Sequence, residues 1–234
     1  ADGVMSYLIP ITIENSLKDT ALVGIVISIS SFFGMFLDFY AAQRWSNRNF
    51  RFFITRAFIF AFGFPLIILF LPHQFVYLAI AMVVWSVYYE FIGYSKYSFI
   101  DKFTAIHDHT NAWATLATFT SLAYMIGPGI AVYLMAKGTN SPLFAVFALV
   151  SCSVLLYASF TKKSQNKNKQ TLTPDKVKNI FKELGLLKTL SKRLWVLITF
   201  MCVITLMDVS MWTIGVLYAN ELGKTSDLGG WFMV

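Results

Sequence analysis

The sequence predicts an all-α membrane protein whose helices cross a bilayer several times. Only 13% of its residues are charged, whereas a soluble domain has about 25% charged residues. A helix that spans the hydrocarbon core needs roughly 20 apolar residues. Six stretches meet this length: 20–43, 52–72, 75–99, 111–137, 141–160 and 194–219. The segments between them are alternately rich and poor in Lys and Arg, as expected for loops on opposite sides of a membrane.

Both ends of the sequence are apolar and too short for a full span. Residues 1–14 have the composition of the outer part of an earlier span, and residues 227–234 that of the beginning of a later one. We therefore expect the chain to be part of a longer protein. Its predicted parts are a six-span bundle at 1–160, a cytoplasmic linker at 161–193 and the start of a second bundle at 194–234.

The basic residues predict the orientation of the spans. Of the 19 Lys and Arg residues, 16 lie in or beside alternate loops, and basic loops stay in the cytoplasm. The loops at 44–51, 96–110 and 161–193 are therefore predicted to be cytoplasmic. These loops account for most of the net charge of +7. They favour anionic membrane lipids as partners, rather than nucleic acid.

The predicted linker contains one amphipathic helix, at residues 174–190. Thr173 is suited to the N-cap and Pro174 to the first helical position. Apolar residues then recur every three or four positions, with lysines between them, as in a helix with one apolar face. Such a helix lies on the inner membrane surface or packs on the cytoplasmic ends of the bundle.

Three acidic residues lie deep in the predicted spans. Asp2 precedes Glu14 at the outer surface by 12 residues, and Glu90 precedes Asp101 at the inner surface by 11. These separations correspond to about 18 and 16 Å along a helix, and Asp208 also lies near the middle of its span. An acid there costs roughly 2.5–3.5 kcal/mol and normally faces a watery cavity or a partner. Apolar surroundings favour the neutral carboxyl, so these acids are either proton carriers or structural groups between helices.

Aromatic side chains accompany two of the deep acids. Tyr89 is next to Glu90, and Trp212 follows Asp208 by one helical turn. Tyr and Trp present an apolar face and one polar group, which suits an amphipathic or cationic small molecule. A negative charge at Glu90 disfavours an anionic solute, since like charges repel.

The sequence offers little support for metal binding or catalysis. The run His107-Asp108-His109 has no further ligands nearby, and a solvated turn explains it better than a metal site. No phosphate-binding glycine loop and no nucleophile motif is present. We therefore expect neither a metal nor a catalytic residue.

Two charged patterns at the inner surface carry a family resemblance. Gly34 and Asp38 have the Gly-xxx-Asp spacing, and Arg44 follows them. Asp101 lies at the end of the fourth span, if the partial span at 1–14 is counted as the first. This arrangement resembles the signature loop of the major facilitator superfamily of secondary transporters. The resemblance implies a cytoplasmic charge cluster of Asp38, Arg44 and Asp101 that holds one conformation closed. Charges that only set the topology are the alternative.

A third pattern lies in the fifth span. The segment Gly127-Pro128-Gly129 resembles the antiporter motif of the same family, which is associated with proton-driven export. Small residues let helices approach closely, and Pro128 removes a backbone hydrogen bond and kinks the helix. A kink that serves only packing is the alternative.

The resemblance implies a fold and a function. The fold is a monomeric helical bundle with the N-terminal six-helix half and the start of the second half, in the plasma (inner) membrane. The function is alternating-access efflux of amphipathic or cationic small molecules, driven by a proton or other ion gradient without a cofactor. In this family, spans one, four and seven line the cavity, and Asp2, Glu90 and Asp208 fall on them. Proton-linked uptake of a sugar or other neutral solute is one alternative, and a polytopic membrane protein without transport is another.

Overall fold

A computed structural model describes residues 1–45, 48–138, 140–163, 194–197, 199–207, 210, 215 and 218 of the chain. Six α-helices follow one another in its first 163 residues: α1 (Asp2–Leu17), α2 (Thr20–Arg44), α3 (Phe50–Phe70), α4 (Phe75–Phe103), α5 (His109–Met135) and α6 (Ser141–Lys163). The described residues contain no strand. The predicted helix at 174–190, together with Asp208, Trp212 and residues 227–234, lies outside them.

The helices α2 to α6 are each long and apolar enough to cross a membrane. Their apolar segments are Ala21–Ala41, Phe50–Phe70, Phe75–Phe103, Ile106–Met135 and Ser141–Ser159. A shorter apolar helix follows at Leu194–Met207. The prediction of an all-α membrane fold is therefore confirmed.

The helix α4 extends further into the following basic connection than hydropathy predicts. The helix α4 continues to Phe103, so the predicted loop at 96–110 is reduced to a short connection with a 3₁₀ turn at Ile106–Asp108. Lys96 and Lys102 therefore lie on the helix rather than in the loop. A long basic side chain can reach the polar surface from within a helix, so a helix need not end where its apolar residues end.

The turn between α1 and α2 shows how two spans are joined by only two residues. Lys18 adopts the left-handed conformation with φ of 53° and donates its backbone N–H to the Glu14 carbonyl at 2.7 Å. Asp19 then caps α2, because its Oδ1 accepts hydrogen bonds from the N–H groups of Ala21 at 2.9 Å and Leu22 at 3.4 Å. These bonds satisfy groups that helix ends leave unpaired.

The first helix is the most buried element of the bundle. Residues such as Met5, Tyr7 and Ile13 are almost fully buried, as expected for a helix that is apolar on all sides. The helix α1 packs mainly on α5, while α2 and α3 pack on α4. Large apolar side chains remain exposed on α2 and α5, including Phe32 at 60% and Phe119 at 66%. Exposed apolar faces of this size suit contact with lipid or with further helices.

Candidate substrate and proton site

A cavity of about 310 Å³ lies between α1, α2 and α4. Its wall combines four serine hydroxyls, two aromatic rings and one carboxyl with apolar side chains: Ser6, Ile9 and Pro10 from α1, Ile27, Ser30 and Ser31 from α2, and Met82, Trp85, Ser86, Tyr89 and Glu90 from α4. Binding sites for small molecules are typically concave, mostly apolar and furnished with a few polar groups. The composition of this cavity fits that description.

The α1 side of the cavity is shaped by a proline inside the helix. Pro10 has no N–H, so the carbonyl of Ser6 lacks its α-helical donor. The Ser6 hydroxyl donates to the Gly3 carbonyl at 2.9 Å, and on α2 the Ser30 hydroxyl donates to the Ile27 carbonyl at 2.7 Å. Each serine hydroxyl can still accept a hydrogen bond, so this wall can receive donors from a bound molecule.

Glu90 lies against the backbone of α2 at Gly34. A Cβ atom built on Gly34 would be 3.0 Å from Glu90 Oε1 and 2.9 Å from Ser86 Oγ. Both distances are shorter than ordinary van der Waals contact, so the absence of a side chain at Gly34 makes room for the carboxyl. Gly34 is itself buried, and it thus determines how closely α2 approaches the acid.

Asp38 follows Gly34 by one helical turn and meets the same helix, α4. The Tyr94 hydroxyl donates a hydrogen bond to Asp38 Oδ1. Glu90 precedes Tyr94 by one turn of α4, as Gly34 precedes Asp38 by one turn of α2, so the two carboxyls lie at the same helix contact. The contact between α2 and α4 therefore contains two acids from different helices side by side.

Within the described part of the chain, no ion pair within 4 Å joins Asp38, Arg44 and Asp101. Among the residues that the structure describes, the ion pair joins His107 and Asp108 at 3.1 Å. Arg44 lies six residues beyond Asp38, about 9 Å along α2, and Asp38 is engaged by Tyr94 on the neighbouring helix. Gly34, Asp38 and Arg44 thus all lie in α2 rather than in a loop. Asp38 contacts the neighbouring helix α4. A gating role for Gly34, Asp38, Arg44 and Asp101 stays a prediction.

Asp2 belongs to a second polar network, which connects three helices. The Tyr124 hydroxyl of α5 donates to Asp2 Oδ2 at 2.5 Å. The hydroxyls of Tyr124 and Tyr89 also hydrogen bond at 2.5 Å, so the network extends from α1 through α5 to α4. Tyr89 and Glu90 are adjacent in the sequence, and both line the cavity. The two acidic networks therefore meet at one turn of α4.

A close contact between α1 and α5 lies next to Asp2. A Cβ atom on Gly127 would collide with the Gly3 backbone, and one on Gly3 would collide with the backbone of Ala123. Pro128 is fully buried beside this contact, whereas nothing lies within 4 Å of a Cβ on Gly129. Of the two glycines in the predicted motif, Gly127 is the one that the helix contact requires.

Sequence reasoning missed several residues of the site. Tyr124 is one of 11 tyrosines, and its only sequence signal is its place one turn before Gly127 and Pro128. The four cavity serines gave no periodic signal. The run His107-Asp108-His109 lies at the turn before α5. Within the described ranges, no group of three or more His, Cys, Asp or Glu could hold a metal ion. Asp208 and Trp212 lie outside those ranges, so their contribution stays a prediction.

The comparison with protein families gives one match. The sequence model of the Major Facilitator Superfamily matches residues 1–234. No curated protein and no solved structure matches the chain. The family match covers every helix described above, including the three helices that form the cavity.

Proposed function

The chain belongs to the Major Facilitator Superfamily, and from this premise we propose that it exports amphipathic or cationic small molecules in exchange for protons. The protein is an integral, multi-pass membrane transporter. In the proposed mechanism two helical halves rock about a central site, so that the site opens to one side of the membrane at a time. The observation that carries this proposal is the cavity in which Glu90 lies beside Trp85 and Tyr89.

The substrate class follows from the charge and shape of the cavity wall. A carboxylate at Glu90 attracts a cation and repels an anion. Trp85 and Tyr89 offer aromatic faces, which attract cations through their π electrons and contact apolar groups. A molecule with one positive charge and an apolar body would use all three side chains. The volume of about 310 Å³ is at the lower end for small-molecule sites, which favours a small solute.

Proton coupling is proposed for the deep acids. A cationic solute is bound best when a carboxyl is ionised, whereas a protonated carboxyl leaves the wall neutral. Solute and proton therefore compete for the same carboxyl, and an exchanger requires such competition. Glu90, Asp2 and Asp208 are the proposed proton-binding residues, and Trp212 is the proposed aromatic neighbour of Asp208. The energy source is an ion gradient, with no cofactor.

Export is the proposed direction of transport. Its support is the resemblance of Gly127-Pro128-Gly129 to the antiporter motif, together with the backbone contact of Gly127 with Gly3. This contact joins α5 to the part of α1 that carries Asp2, so movement of α5 is transmitted to the acid. A proline kink that serves only packing would leave the direction undetermined.

Uptake of a sugar or another neutral solute is the second candidate. The observation that favours it is the group of four serines in the wall, Ser6, Ser30, Ser31 and Ser86. Four hydroxyls can form several hydrogen bonds with a polyhydroxylated molecule, and Trp85 can stack against its apolar face. Glu90 would then carry a proton into the cell together with the solute.

The proposed arrangement in the membrane follows the basic loops. Residues 1–160 form the first half of the transporter, 161–193 the cytoplasmic linker and 194–234 the beginning of the second half. The loops near 44–51 and 96–110 face the cytoplasm. We propose that the protein works as a monomer in the plasma (inner) membrane and contacts anionic lipids through these loops.

Solute uptake into proteoliposomes tests the substrate class. The full-length protein would be given labelled tetraphenylphosphonium, an aromatic cation, or lactose, a neutral sugar, with protein-free vesicles as the blank. We expect transport of the cation and not of the sugar. Glu90→Gln should reduce cation transport about tenfold or more, since a contact with a charged group contributes about 1.5–3 kcal/mol. Asp108→Asn, in the exposed inner turn, is the matched control. Transport of lactose alone would favour the second candidate.

A further inference from the structure

Carboxyls from two different helices lie at the contact between α2 and α4. Glu90 lines the cavity, and its Oε1 lies 3.0 Å from the position that a Cβ on Gly34 would take. Asp38 is one turn further along α2, where its Oδ1 accepts a hydrogen bond from Tyr94, the residue one turn after Glu90 on α4. The packing of α2 on α4 therefore places the two acids at the same helix contact.

The position of each carboxyl is fixed by groups on α4. Tyr94, one turn after Glu90, donates its hydroxyl to Asp38 Oδ1. Ser86, one turn before Glu90, is buried, and its Oγ lies beside the same Gly34 surface. Ser86, Glu90 and Tyr94 thus share one face of α4 at the i and i+4 spacing that brings side chains together. Asp38 of α2 meets this face at Tyr94.

The surroundings do not supply a balancing positive charge. Within the part of the chain that the structure describes, no Lys or Arg nitrogen lies within ion-pair distance of Asp38 or Glu90. The other titratable groups on this part of α4 are Tyr89, Tyr94 and Lys96. Asp2 on α1 and Tyr124 on α5 reach only as far as Tyr89. Two ionised carboxyls at one helix contact repel each other, and two carboxyls that share a site cannot readily both ionise.

We propose that Asp38 and Glu90 share one proton and act as a single proton-binding unit of the transporter. The proton bridges the two carboxyls when the unit is loaded, and it passes to water in the cavity when the unit releases it. Tyr94 is a positioning residue that holds Asp38 toward Glu90. This inference rests on the proposed function in assigning the shared proton to transport, and it gives Asp38 a part beyond the gating role predicted from its spacing.

Infrared titration of the full-length protein in nanodiscs tests the shared proton. The absorbance of protonated carboxyl groups would be followed across a wide pH range, in the wild type and in Asp38→Asn and Glu90→Gln. When two acids are coupled, their protons are lost in two steps that belong to the pair. Each variant should therefore remove one step and move another by about one pH unit or more. Asp108→Asn is the matched control and should remove one step without moving any other.

Independent acids would give a different result. If each variant removes one step and leaves all remaining steps at their wild-type pH, Asp38 and Glu90 do not share a proton, and the proposal is wrong. Tyr94→Phe keeps both carboxyls and provides a second test: the pair steps should persist with changed midpoints, and unchanged midpoints would contradict the part assigned to Tyr94. The titration uses no solute, so it tests the shared proton separately from transport. Independent titration of the two acids would not contradict the proposed transport, and a lack of transport would not change the reading of the titration.

Discussion

Gly34 and Glu90 face each other across the contact between α2 and α4, and the glycine leaves the space in which the carboxyl lies. A Cβ at Gly34 would be 3.0 Å from Glu90 Oε1. The atoms that it would meet belong to flexible side chains, Ser86 and Glu90, and not to backbone. A small substitution here should therefore move the acid without separating the helices.

Gly34→Ala should impair proton coupling while leaving the fold stable. The added methyl group displaces the Glu90 carboxyl from Asp38, whereas alanine favours a helix over glycine by about 1 kcal/mol. We expect an unfolding temperature close to that of the wild type and a clear loss of solute-driven proton movement. Gly24→Ala, on the same helix with nothing within 4 Å of its Cβ, should keep both properties. Equal coupling in the two variants would contradict the role given to Gly34.

Gly127→Ala should destabilise the bundle. Its Cβ would meet the backbone of Gly3, which cannot rotate away, so α1 and α5 must separate. Overpacking of this kind typically costs about 1–3 kcal/mol, which thermal unfolding in detergent would detect. Gly129→Ala is the matched control, because a Cβ there meets nothing within 4 Å. A Gly129→Ala variant as unstable as Gly127→Ala would disprove the assignment of the close contact.

Tyr124→Phe should weaken the network around Asp2. The change removes one hydroxyl that bonds both Asp2 and Tyr89, and a hydrogen bond to a charged group contributes about 1.5–3 kcal/mol. We expect a lower unfolding temperature and reduced transport. The effects of Tyr124→Phe and Tyr89→Phe should not add, since the two hydroxyls belong to one network. Tyr133→Phe, an exposed position on α5, should have little effect, and additive losses would mean that the network is not coupled.

Cysteine labelling tests the orientation. In a background with Cys152 and Cys202 replaced by serine, His73→Cys lies in the exposed connection after α3, and Asp108→Cys lies in the connection before α5. Because basic loops stay inside, an impermeant maleimide should label position 73 in intact cells and position 108 only after permeabilisation. The reverse pattern would overturn the predicted topology.

The sequence predicted the helices well because the bilayer imposes a simple length rule. The predicted spans 52–72 and 111–137 differ by two residues from α3 and α5. It also placed Glu90 and Asp2 deep in their helices, since an acid in an apolar stretch stands out without any tertiary information. Their part in a site stays a prediction. The contact of Asp38 with Tyr94 could not be predicted, because it depends on the register of α2 on α4. Tyr124 was missed for a related reason, since its partner Asp2 lies 122 residues away.

Proton movement during transport tests the central claim most directly. Proteoliposomes with the full-length protein and a trapped pH-sensitive dye would receive tetraphenylphosphonium, with protein-free vesicles as the blank. The account predicts that the solute moves protons in the wild type and in Asp108→Asn, and that this movement is lost in Glu90→Gln and Asp208→Asn. Solute transport at the wild-type rate without any proton movement would contradict it, and the deep acids would then serve substrate binding or helix packing alone.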